Sequence, residues 1–151
     1  MSSVGMEFST DGEPIVSLEC RDNEIVRLSS TTHSHHICCG FNISVVMTWK
    51  GDKPVCDLRC RQHRLGEEDK FWVRSVDWGR IDSLVRQLAQ SPVPAIPEEI
   101  LVCDGTEYEL TIKRGMNSVV YRWWCEPPLG YEPIGHFANR LEKLGGIKNV
   151  G

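Results

Sequence analysis

The 151-residue sequence predicts an α+β fold, mainly antiparallel sheet with two amphipathic helices packed on it. Three observations carry this. Several runs place an apolar residue at every second position, turn residues separate these runs by too few positions for parallel crossovers, and two later segments change to helical spacing.

The first alternation is Val16, Leu18 and Cys20 with Ser17 and Glu19 between them. Arg21, Asp22 and Asn23 supply a turn, and Val26 and Leu28 resume the pattern as the second arm of a hairpin. From Ile37 to Trp49 the alternation is longest, with Ile37, Cys39, Phe41, Ile43, Val45, Met47 and Trp49 expected on the buried face. Lys50, Gly51, Asp52 and Lys53 have turn composition. Val55, Asp57, Arg59 and Arg61 then interleave with Cys56, Leu58 and Cys60, which predicts a second hairpin. Phe71 to Val76, rich in aromatic and β-branched residues, predicts a further strand.

A helix is expected over about 78–90, because Ile81, Leu84, Val85, Leu88 and Ala89 form one apolar stripe, Asp77 can cap it and Ser91-Pro92 ends it. Pro92, Pro94 and Pro97 form an extended connector. Ile100 to Cys103, the Asp104-Gly105 turn and Thr106 to Lys113 read as another hairpin, with Tyr108, Leu110 and Ile112 facing inward. A strand follows from about Ser118 to Cys125. The second helix, about 133–144, buries Ile134, Phe137, Ala138, Leu141 and Leu144, begins near Pro133 and stops at Gly145 and Gly146. One domain over 1–151 is expected. Its two aromatic-rich strand-then-helix stretches, about 37–91 and 95–145, suggest an internal duplication, with identity between the halves too low to claim a repeat.

Composition narrows the function classes. A hydrophobic fraction of 40% and a charged fraction of 25% lie near globular averages. A net charge of -4 gives no overall attraction for nucleic acid, and no apolar run suits a membrane span. With no basic start followed by an apolar stretch in MSSVGMEFSTDGEP, a cytoplasmic protein is expected by default, and seven cysteines, an odd number, read most simply as free thiols.

Four groups of residues can carry chemistry. His33, His35, His36 and Cys38 form a candidate zinc-binding segment, with His63 within reach; Cys56 and Cys60, roughly 13 Å apart along one strand, cannot share one ion. The ordinary reading of that segment is a polar loop. Cys38 is also the one candidate nucleophile, and no hydrolase, phosphate-loop or metalloprotease motif exists, so no catalytic residue is assigned. Arg59 and Arg61, with His63, Arg64 and Arg74 nearby, form a basic row suited to an acidic partner, although such a row is often a solvated strand face. Trp123, Trp124 and Tyr131, among rigid prolines, are candidates for a partner surface, since adjacent strand residues face opposite ways and one of the two indoles must lie outside a one-sided core.

The stretches DGTEYEL (104–110) and YRWWCEPPLGYEP (121–133), followed by an amphipathic helix, resemble the C-terminal part of a group of short uncharacterised bacterial proteins. The resemblance implies a bacterial origin and transfers no catalytic residue. The expected function is therefore a non-enzymatic, protein-binding domain of the accessory, adaptor or immunity type. The alternative is a small metal- or thiol-dependent protein using His33 to Cys39.

Overall fold

The computed structural model describes residues 23–33, 39–97, 99 and 104–148. Its elements follow in the order β1 (Glu24–His33), β2 (Cys39–Lys50), β3 (Lys53–Arg64), β4 (Lys70–Asp77), α1 (Trp78–Ala89), β5 (Gly105–Arg114), β6 (Asn117–Trp124) and α2 (Glu132–Gly145). The strands form one six-stranded sheet in the order β4-β3-β2-β1-β5-β6, with every described neighbour pair antiparallel. The predicted fold class is the one observed.

Register explains the core. One row crosses all six strands as Trp72, Cys60, Ile43, Leu28, Leu110 and Tyr121, and the adjoining row holds Leu58, Val45, Val26 and Ile112. Leu28, Ile43, Val45, Leu58 and Leu110 are completely buried. Onto these rows pack Ile81 and Leu88 of α1 and Ile134, Phe137, Ala138 and Leu141 of α2. Both helices thus cover the same face of the sheet, as antiparallel sheets with one solvated face require.

The turns are short. β2 and β3 join through Gly51-Asp52, and β5 and β6 through Gly115-Met116; Gly51 and Gly115 both take positive φ, the conformation glycine adopts without strain. α2 carries Pro133 in its first turn and ends at Gly146 in the left-handed conformation, where the Gly146 and Ile147 N–H groups donate to the Lys143 and Glu142 carbonyls.

Several expectations are corrected. β5 forms its hairpin with β6 and lies beside β1; the stretch 100–103 proposed as its partner lies outside the described residues, as does the arm Val16–Cys20 proposed to pair with Val26 and Leu28. Trp49 is exposed, because it sits one residue pair from the β2–β3 turn at the tip of the hairpin. A bulge between Glu24 and Val26 aligns Glu24 with Val46, and both are buried although alternation sends Val46 outward. Asp77 occupies the N-cap of α1 without a side-chain capping hydrogen bond, and Ala89, the last residue of that helix, is exposed.

Leu141→Ala should cost about 2–5 kcal/mol, because Leu141 is completely buried against the sheet. Leu84→Ala, at a half-buried position, should cost about 1 kcal/mol. Chemical denaturation of both variants checks the difference; equal losses would contradict the assigned helix faces.

Candidate functional site

With both helices on one face, the alternate residues of every strand form a second face that, among the described residues, no helix covers. Its central rows run Phe71, Arg61, Asn42, Ser29, Glu109, Arg122 and Val73, Arg59, Ser44, Arg27, Thr111, Val120. Most charges here are matched. Arg122 Nε donates to Glu109 Oε2 at 2.7 Å, Arg61 Nε donates to Asp69 Oδ2 at 2.8 Å, and His63 Nδ1 lies 2.6 Å from Asp69 Oδ1. These hydrogen bonds from His63 and Arg61 hold the Asp69 carboxyl below the usual carboxylate range.

Glu24 ties three strands together on this face. Its carboxylate accepts from Ser44 of β2, from Lys113 of β5 at 3.1 Å and from Arg27 of β1 at 3.2 Å. Burial alone would raise its pKa, but these three donors and the Arg27 charge outweigh burial and leave it lowered.

The β3–β4 flank of this face is different in kind. Phe71 is 71% exposed and Val73 59% exposed, and they stand directly opposite Arg61 and Arg59. The Arg61 guanidinium lies 5.7 Å from the centre of the Phe71 ring, within cation–π range. No described carboxylate pairs with Arg59, which is exposed. Beside this flank, Ser29, Thr31, Gly40, Asn42, Arg61 and His63 contribute to a shallow cleft of about 210 Å³.

The aromatic candidates separate. Trp123 is buried in a stack on Tyr108, 5.2 Å between ring centres, and Tyr131 is buried edge-on to Tyr121. Both leave little contact area for a partner docked on this fold, because alternation turns Trp123 toward the helices and Tyr131, at the N-cap of α2, packs against Tyr121. Trp124 faces the open side, half-buried, stacked on His33 at 5.6 Å, with its indole N–H donating to the Asp104 carbonyl at 3.3 Å. Gly105 makes this arrangement possible, since a Cβ there would collide with the Cys125 sulfur and the Trp124 indole nitrogen. Arg74, grouped with the basic row in the sequence, stands opposite Leu58 and lies against Gly146 on the helix side.

The proposed zinc segment is only partly described: His35, His36 and Cys38 lie outside the described residues. His33 has Glu107 as its partner at 3.4 Å, and among the described residues no group of three or more His, Cys, Asp or Glu side chains gathers to hold a metal. Cys56 and Cys60 are buried free thiols under the helices, and burial pushes both up to about 11. Cys39 is half-buried and Cys125 exposed, both free. The alternation of Phe71 and Val73 with Trp72 is visible in the sequence; which of the two sides the helices cover is not.

No family model matches the chain, and no curated protein is significantly similar to it. Among the described residues, no helix is long and apolar enough to cross a membrane.

Two measurements check this geometry. A lowered folded-state pKa at Glu24 contributes stability above its ordinary value of 4.5, and that contribution is lost as pH falls through the folded value. Glu24→Gln should therefore destabilise by about 1–3 kcal/mol at neutral pH, and the gap from the parent should close in acid; a gap independent of pH would contradict it. In alkylation followed by mass spectrometry, Cys125 should react first among the described thiols, and Cys56 and Cys60 only on unfolding. Rapid labelling of Cys60 in the native protein would contradict its placement.

Proposed function

We propose that the chain is a non-enzymatic cytoplasmic protein-binding domain of the accessory, adaptor or immunity type, and that it engages its partner through the β3–β4 flank of the helix-free face. What carries the reading is the exposed pair Phe71 and Val73 set against Arg61 and Arg59. Leaving two large apolar side chains in water gains nothing for the fold, whereas a partner that covers them recovers their burial. Arginine beside an aromatic is the side-chain mixture enriched at binding hot spots, and Arg59 offers a charge for a carboxylate on the partner. Trp124 lies on the same face beyond the cleft and extends the surface along it. The free thiols of Cys56 and Cys60 support a reducing compartment.

The test compares binding by variants that leave the core untouched. Phe71→Ala and Arg59→Glu should each leave the thermal midpoint unchanged and weaken partner binding by about 2 kcal/mol or more, roughly thirtyfold. Arg140→Glu, on the exposed side of α2, serves as the control. Partners captured from the native host equally by the parent and by both β3–β4 variants, but lost with the α2 control, would place the binding surface on the helices and overturn the reading.

A further inference from the structure

The two edges of the sheet are guarded unequally. β4 carries Lys70, Arg74 and Asp77, and the end of α2 is seated against it through a hydrogen bond from Trp72 Nε1 to the Gly145 carbonyl, 2.7 Å. Charges and a covering helix are two of the ways by which natural sheets blunt an edge. Among the described residues, no helix is hydrogen-bonded to the outer edge of β6, Asn117 to Tyr121 is a stretch without charge or proline, and Arg122 is the one cation in the strand. Asn117, Ser118, Val119 and Val120 are all exposed, with Val119 at 40% and Val120 at 45%. No described strand pairs with the outer edge of β6.

We propose that β6 pairs antiparallel with β6 of a second copy of this chain about a two-fold axis at Val120, joining two six-stranded sheets into one. The strand is complementary to itself in that register. Val120 meets Val120 on the helix-free face, Val119 meets Tyr121 on the helix face, and Ser118 meets Arg122. Paired positions lie equally far on either side of Val120 and therefore share a face, so no apolar residue is set against the wrong side of the sheet. The nearest like charges, the two Arg122 residues, are separated by the two-fold and each is already paired with its own Glu109.

The helix side supplies the apolar area that a bare strand pair lacks. An open cleft of about 260 Å³ beside the β5–β6 ribbon is lined by Val85, Leu88, Ala89, Ile112, Val119 and Tyr121 among others. In the proposed register Tyr121 of the second copy arrives beside Val119, at the mouth of this cleft. An exposed Ala89 at the end of α1, unexpected from its place on an apolar stripe, then borders an interface. This surface lies at the far edge of the sheet from Phe71 and Val73, so the inference stands apart from the proposed partner site.

The experiment is sedimentation of the full chain over a wide concentration range. The parent is expected to reach twice its 17.1 kDa mass and to dissociate on dilution. Val120→Lys and Val120→Glu, which set like charges against each other across the axis, should each raise the dissociation constant at least about tenfold while far-ultraviolet circular dichroism stays unchanged. An equimolar mixture of the two should dimerise again, because lysine then faces glutamate. A parent that stays monomeric at the highest attainable concentration, charged variants that dimerise as well as the parent, or a mixture that remains monomeric would each overturn the proposal. Should either variant fail to fold, Ser118→Glu and Ser118→Lys replace them: the first should tighten the dimer by facing Arg122 and the second loosen it, and equal affinities would overturn the proposal.

Discussion

The row Trp72, Cys60, Ile43, Leu28, Leu110 and Tyr121 is the contact on which the rest of the structure depends. It exists only if five ladders hold their register together, since a slip by one residue in any strand would turn its apolar set away from the helices. Four of its members are buried to 3% exposure or less, and α2 lays Leu141 and Ile134 over the same face. That burial is also what gives β1 its central place. Val26 and Leu28 need apolar neighbours on both sides, and β2 and β5 provide them in Val45, Ile43, Ile112 and Leu110.

Sealing one face has a consequence for the other. Each inward residue of the core rows forces its neighbours in sequence outward, so Arg59, Arg61, Phe71, Val73, Glu109 and Arg122 share a surface because Leu58, Cys60, Trp72, Leu110 and Tyr121 share a core. Over most of that surface opposite charges meet, and Glu24 draws donors from three strands. Toward β4 the pattern changes to exposed apolar side chains beside arginine. Solvated sheet faces are common, and the exposed pair Phe71 and Val73 is what distinguishes this one.

Much of the fold was legible because it rests on local periodicity. The β2–β3 hairpin, both helices and the inward sets Cys56, Leu58, Cys60 and Ile134, Phe137, Ala138, Leu141 follow from spacing alone. Non-local facts were not legible. Nothing local shows that β1 joins β5: the Asp104-Gly105 pair has hairpin composition, yet β5 turns back through Gly115-Met116 to β6 and pairs with β1 on its other side. The candidate site suffered for the same reason. Trp123 and Trp124 have to face opposite ways, but which is covered depends on the helix layer; Phe71 and Val73 are exposed because Trp72 faces the helices and turns them onto the opposite face.

The central claim, one face covered by helices and one open face with an apolar flank, is tested most directly by hydroxyl-radical footprinting of the native chain read residue by residue by mass spectrometry. Phe71 should be labelled heavily in the native protein, while Trp123 and Tyr131 should be protected and become labelled only on unfolding. Native labelling of Trp123 as rapid as that of Phe71, or protection of Phe71 in the isolated chain, would contradict the account.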